Sequence, residues 1–280
     1  MKTAIVTDTN SGITAQMARE MGIYLIPMPF FIDGSTYYEG ETCTPDFFFR
    51  HLKAKAEVST SQPSPEVITS LWASLLETHD AVLHFPMTAG LSGSCETAKA
   101  LAQEFDGRVL VVDDHRISVT LAQSIRNALT LLAQGKTAQE VRGILEAEKD
   151  ASSIYIAVNT LEYLKKSGRV TAAGAAMAAV LHIKPVLQIQ GGKLDAYKKV
   201  RGMLQAKKTL VDALRHDLAP GKTYRESFDK LVLSPGAEPV LPPWEGIRTE
   251  GIFTLRNVAD TELSLTIPSP ASICTASTIP

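Results

Sequence analysis

Five consecutive residues, Gly90-Leu91-Ser92-Gly93-Ser94, carry the densest candidate chemistry in this chain. They follow Ala81–Phe85, an apolar run that reads as a buried strand, and precede a stretch from about Cys95 to Phe105 that reads as a helix. A small-residue passage from strand to helix leaves backbone N–H groups open at the helix start. With the Ser92 and Ser94 hydroxyls beside them, those groups can hold an anion with no cation nearby. The same residues also suit a plain helix start with Ser92 as the N-cap. A hydrolase reading competes. Gly90-x-Ser92-Gly93-Ser94 departs from the nucleophile elbow GxSxG in its last position, and His84, His115, Asp113 and Asp114 are candidates to complete a triad.

A second hydroxyl cluster, Ser59-Thr60-Ser61-Gln62-Pro63-Ser64-Pro65, also stands before a helix; a cap and turn explain it as well as a ligand does. Lys198, Lys199, Arg201, Lys207 and Lys208 form a basic cluster, either a solvated face or a docking patch for an acidic partner. His182, beside an apolar helix, reads as a packed or capping histidine. Nucleotide and metal signals are weak. No GxGxxG, HExxH or CxxC occurs, and Gly135-Lys136-Thr137 and Gly221-Lys222-Thr223 have Thr130 and His216 where a P-loop needs its leading glycine. Neither a metal nor a cofactor is expected.

Strands alternating with helices position these loops. Ala4–Thr7 is a short apolar strand, followed by turn and cap residues Thr9-Asn10-Ser11-Gly12 and a helix over Thr14–Met21. Tyr24–Ile32 reads as one extended, proline-broken edge segment. Thr44-Pro45-Asp46 and Ser64-Pro65-Glu66 each give a hydroxyl cap, Pro at the first helical position and an acid in the first turn. Val109–Val112 is the next strand, with helices over Val119–Ala133 and Thr137–Glu148. From about Ser153 a second block holds a strand (Ile154–Val158), a helix (Leu161–Lys166) and an alanine-rich helix (Ala172–Val180). Strands around Lys184–Ile189 and Leu194–Val200 follow, then a helix from about Met203 to Leu214. This order predicts an α/β fold with a parallel sheet, whose ligands bind beyond the carboxyl ends of the strands, in the loops after Thr7, Phe85 and Val112. The expected domains are 1–152, a partial α/β domain over 153–217, and a proline-dense, poorly structured tail over 218–280.

Composition bounds the rest. With 280 residues, 45% hydrophobic and 21% charged, the chain is of ordinary globular type, with room for one large domain or two smaller ones. A net charge of −2 argues against nucleic acid or an anionic membrane as the main partner. Cys43, Cys95 and Cys274, odd in number and far apart, imply no disulfide framework or zinc site and suit a reducing cytoplasm. The start MKTAIVTDTNSG lacks the long apolar core of a signal peptide, and Ala172–Leu181 is too short to cross a bilayer. The expected location is the cytoplasm.

Seven stretches in order carry a family resemblance: IVTDTNSGIT (5–14), TSQPSPEV (60–67), GLSGSCETA (90–98), VVDDHRIS (111–118), LEYLKKSGRV (161–170), HIKPVLQIQGGKL (182–194) and KVRGMLQAKKTLV (199–211). Over about residues 1–215 the chain resembles the DegV family, the bacterial fatty-acid-binding proteins that include the binding subunits of fatty acid kinase. The resemblance implies a two-domain α/β protein with a long-chain fatty acid in an apolar tunnel between the domains. It assigns the carboxylate to Thr60 and Ser92, with Ser61, Gly93 and Ser94 adjacent. The family presents that carboxylate to a separate kinase and has no catalytic residues of its own; the apolar residues of 172–187 suit either a tunnel lining or plain core packing, and the cluster around Arg201 is a candidate docking site for the kinase.

The C-terminal part departs from this pattern. The family's closing His-containing, Gly-rich motif is not found after His216. Residues 224–262 resemble a fragment of an FAD- and NAD(P)-dependent disulfide oxidoreductase of the coenzyme A-disulfide reductase type, without its dinucleotide glycines or redox cysteine. A second domain truncated in this way is expected to expose a sheet edge, lower stability and weaken ligand binding. Two other readings stay open: a serine esterase using the Gly90–Ser94 loop, and a non-functional chimera.

Overall fold

The computed structural model describes residues 2–39, 41–171, 183–217 and 277–279. It divides into two compact units: Met1–Ser152 together with Gly191–Lys193, and Ser153–Gln190 with the described residues from Leu194 onward.

The first unit is built on a four-stranded, all-parallel sheet of β1 (Thr3–Asp8), β2 (Tyr24–Ile26), β6 (Ala81–Phe85) and β7 (Val109–Val111), in the order β2-β1-β6-β7. Side chains alternate across each strand, and the sequence uses both faces. Ile5, Ala81, Leu83 and Phe85 point to one side, against α1 (Ala15–Met21), α5 (Ser118–Ala133) and α6 (Ala138–Ala147), where Leu121, Ile125, Val141 and Leu145 complete a core. Ala4, Val6, Val82, Val109 and Val111 point to the other, against α3 (Pro65–Leu76) and α4 (Ser94–Ala102). The chain leaves β1 for β2 on one side of it and reaches β6 on the other. The order of the strands therefore reverses between β1 and β6, and ligands of open α/β sheets bind beyond the carboxyl ends of the strands at such a point.

Local signals set the helix starts. Thr14, Thr44, Ser64 and Thr137 each accept from the backbone N–H three residues on, at the heads of α1, α2 (Pro45–Lys53), α3 and α6. At α6, Glu140 reaches back to the N–H of Thr137 at 2.8 Å and closes a capping box.

Two strands of this unit, over Ser35–Tyr38 and Val58–Thr60, escaped the sequence reading. Tyr24–Ile32 is not one segment: β2 joins the parallel sheet, whereas β3 (Pro29–Ile32) forms a separate antiparallel sheet between β4 (Ser35–Tyr38) and β5 (Val58–Thr60). Phe30, Ile32 and Cys43 fill its small core, with Phe47 and Phe48 of α2 packed against them.

The second unit has a four-stranded sheet, β10-β9-β8-β11, of β8 (Ile154–Val158), β9 (Ile183–Gln190), β10 (Lys193–Arg201) and β11 (Ser277–Ile279). Helix α7 (Glu162–Lys166) follows β8; α8 (Gly202–Asp217) packs Ala206, Leu210 and Ala213 against Tyr155, Ala157 and Val186. The Tyr155 hydroxyl donates to Asp217 Oδ2 at 2.7 Å. Strand β11, from the expected tail, pairs with β8 in parallel through Ser277↔Ile156 and Ile279↔Val158. The expected helix Ala172–Val180, His182, most of the 172–187 lining and the 224–262 stretch lie outside the described residues. Among the described residues, no helix is long and apolar enough to cross a membrane.

Candidate functional site

The three loops singled out from the sequence are tied together at the carboxyl end of the parallel sheet. Asp8 ends β1, and its two carboxylate oxygens accept from the backbone N–H groups of Asn10 and Met87, each at 2.9 Å. The Thr7 hydroxyl donates to the Phe85 carbonyl at 2.8 Å. The Thr88 N–H donates to the carbonyl of Arg116 at 3.0 Å, joining the loop after β6 to the loop after β7. Burial pushes the carboxyls of Asp8 and Asp114 up to about 6, against which backbone and side-chain hydrogen bonds pull only part of the way down.

Within the Gly90–Ser94 loop, the Thr88 carbonyl accepts from the N–H groups of Leu91 (3.1 Å) and Ser92 (3.3 Å). Ser92 is not the N-cap of α4. That place belongs to Gly93, which has no side chain to offer, while Ser92 Oγ accepts from the Ser94 N–H at 3.2 Å. Ser94 is the first residue of α4; its hydroxyl is buried and has no hydrogen-bond partner. The start of α4 thus has an N-cap residue without a side chain and a buried hydroxyl without a partner, neutral donors of the kind that an anion at a helix start can use.

Thr60 is the last residue of β5, opposite Phe30, and both it and Ser61 are exposed. Ser61 donates its N–H to the Pro29 carbonyl at 3.1 Å. The link to the other cluster is Gln62, whose Oε1 accepts from the Thr97 hydroxyl of α4 at 3.1 Å. A side chain at Gly93 would come within 3.5 Å of that same oxygen, an ordinary contact. The structure thus brings the Thr60–Gln62 segment beside the first turn of α4, without a direct contact between the Thr60 and Ser92 hydroxyls. Sequence reading missed the part played by Gln62; a polar side chain between a hydroxyl pair and a proline was the only signal for it.

The hydrolase reading finds no geometry. Neither Ser92 nor Ser94 bonds a histidine. His84 is 3% exposed and lies edge-on to Trp72, with centroids 5.3 Å apart; burial lowers its pKa to about 3. His115 Nδ1 is held by Asp150 Oδ1 at 3.0 Å. Cys95, Glu96 and Asp113 converge as a metal site would, but the Lys99 ammonium already bonds Glu96 at 2.8 Å and Asp113 at 2.7 Å, and burial pushes the Cys95 thiol up to about 12. Arg201 ends β10 in the second unit and is exposed, with Lys198 and Lys199 exposed on the same strand.

Comparison with known proteins places the chain. A family model for DegV-family proteins matches residues 2–226, past the last of the seven stretches. A DegV domain-containing protein of Deinococcus radiodurans is 35% identical over 217 residues, covering 77% of this chain and 76% of that one. A solved structure described as the fatty acid binding of a DegV family protein from Thermus thermophilus aligns with a TM-score of 0.77 at 27% identity, over 99% of this chain and 92% of the other. Another, a fatty acid binding DegV family protein from Streptococcus agalactiae, gives a TM-score of 0.72 at 30% identity, over 79% and 80%. With its parallel sheet, its hydroxyl-bearing loop at the strand-order reversal and this match over most of its length, the chain belongs to the DegV family.

Proposed function

We propose that this protein binds a long-chain fatty acid, holds its carboxylate at Ser92, Gly93 and Ser94 with Thr60 and Ser61 alongside, and presents it to a partner fatty acid kinase in the cytoplasm. The observation that carries the site is the buried, unpartnered Ser94 hydroxyl at the uncapped start of α4. The ligand class is supported by the two relatives described as fatty acid binding.

The energetics fit that ligand. Burying about 15 methylenes at roughly 0.8 kcal/mol each supplies on the order of 12 kcal/mol before ordering and association costs. The apolar chain therefore provides most of the affinity, and the head group needs only to be positioned. Neutral hydroxyls and amides position a carboxylate without the grip of a buried guanidinium, which suits a ligand that must be modified and released.

Mass spectrometry of an organic extract of the purified protein should show one fatty acid per chain; an empty protein that also ignores added fatty acid would overturn the reading. The site assignment has its own test. A Thr60→Ala/Ser92→Ala double variant removes two hydroxyls from a charged acceptor, each worth about 1.5–3 kcal/mol. Fatty acid affinity is expected to fall by at least about a hundredfold with the melting temperature nearly unchanged; unaltered affinity removes Thr60 and Ser92 from the site. For the kinase, charge reversal at exposed Arg201 (Arg201→Glu) is expected to slow acyl phosphate formation and weaken its response to salt while lipid affinity stays constant.

A further inference from the structure

We infer that the Gly191–Lys193 turn is a positioning element for the carboxylate-binding loop, acting through Thr88. The turn has Gly191 at φ +58 and Gly192 at φ +76, the paired positive values a two-residue type I′ hairpin demands, and the turn belongs to the first unit. The Gly192 carbonyl accepts from the Thr88 hydroxyl at 3.0 Å. That hydroxyl oxygen in turn accepts from the Gly90 N–H at 3.3 Å, while the Thr88 carbonyl holds the N–H groups of Leu91 and Ser92. Thr88 is 1% exposed, and its N–H is bonded to Arg116. Every polar group of Thr88 is thus engaged, and one of its partners is the turn.

The approach is close enough to dictate residue type on both sides. A side chain at Gly90 would run into the Gly192 carbonyl, and one at Gly192 would run into the Thr88 hydroxyl and come within 3.4 Å of the His115 side chain. His115 is itself fixed by Asp150. By contrast, a side chain at Gly191 would meet only Asp150 Oδ1, at an ordinary 3.7 Å. The turn sets the rotamer of the Thr88 hydroxyl. The hydroxyl sets Gly90, and the Thr88 carbonyl sets Ser92. Residues that never touch the ligand therefore decide where the Ser92 and Ser94 donors point.

The inference takes its ligand from the fatty-acid reading, and the experiment separates the two. Binding of palmitate and of hexadecanol, an equal chain without the carboxylate, is measured for the parent and for Gly192→Ala, Thr88→Val, Thr88→Ser and Gly191→Ala. Gly192→Ala and Thr88→Val are expected to weaken palmitate tenfold or more and to leave hexadecanol within twofold. Thr88→Ser, which keeps the hydroxyl, and Gly191→Ala, which carries the same backbone strain without the collision, should stay within twofold for both ligands. Unchanged palmitate binding in Gly192→Ala and Thr88→Val, or equal losses for acid and alcohol, would overturn the positioning role. A parent that binds neither ligand would instead overturn the fatty-acid reading. The amide resonances of Ser92 and Ser94 then decide the positioning role alone: they should move in Thr88→Val and stay in Gly191→Ala, and the reverse pattern refutes it.

Discussion

Truncating Trp72 to alanine is expected to cost the first unit about 3–5 kcal/mol, the usual toll of emptying a large aromatic site in a packed core. Trp72 is fully buried on α3 and sits in the core that α3 and α4 make with the sheet. Its ring meets Phe105 edge-on at 5.5 Å and His84 at 5.3 Å. Cys95 and Ala98, in the first half of α4, belong to the same core, so the cavity would open directly beneath the helix whose start holds Ser94. Two readouts follow. Denaturant unfolding should show the stability loss, and NMR titration should show the His84 pKa rising from about 3 toward 6.5 as water reaches the ring. Trp72→Phe keeps the edge contacts and removes an indole N–H that has no partner, so it should lose less than half as much. A Trp72→Ala protein within 1 kcal/mol of the parent, by order of magnitude well short of the cavity cost, would refute this account of the core.

What the sequence made legible was what its neighbours in the chain determine. The caps at Thr44, Ser64 and Thr137 are written within four residues, and all three begin helices. The apolar runs at β1 and β6 announced strands because both faces of that sheet are buried. The small antiparallel sheet was not legible. Strand β5 is three residues long, two of them exposed, and its pairing partner β3 lies across the whole of β4 and α2. Pairings of that kind are set by tertiary contact, not by local pattern. The site divides in the same way. The hydroxyl clusters could be found by residue type, but the bonds that assemble them join Asp8 to Met87, Gln62 to Thr97 and Thr88 to Gly192, across 79, 35 and 104 residues. No spacing rule reaches so far. The same holds for Ser92, where a hydroxyl before a helix suggested an N-cap and the backbone instead gave that place to Gly93.

The buried ionisable groups around the site give the fold an acid profile that can be worked out group by group. Asp8 and Asp114 have folded pKa values of about 6 against an ordinary 3.8, so between about pH 6 and 4 the folded chain holds protons that the unfolded chain has released. Stability contributed by such a group rises as pH falls through that window, by about 1.4 kcal/mol per pH unit and on the order of 3 kcal/mol in all for each group. His84 works in the opposite direction. Its folded pKa of about 3 lies below the ordinary 6.5, so the unfolded chain takes up the proton first, and stability falls by about 1.4 kcal/mol per unit from pH 6.5 down to 3. Two groups against one leave a net gain from pH 6 to 4, then a loss below 4 once both aspartates are protonated in either state. Unfolding is best followed by Trp72 fluorescence in a Trp244→Phe background, since Trp72 touches His84 and reports on this unit. Asp8→Asn should remove about 1.4 kcal/mol per pH unit of the gain between pH 6 and 4, whatever its stability at pH 7. His84→Leu should steepen the same gain by a similar amount and abolish the loss below pH 4. Because each comparison uses a slope, a variant that is merely less stable does not imitate the result. Parallel slopes in the parent and Asp8→Asn would show that the Asp8 carboxyl, with both its oxygens on backbone N–H groups, is not held near pH 6 by burial.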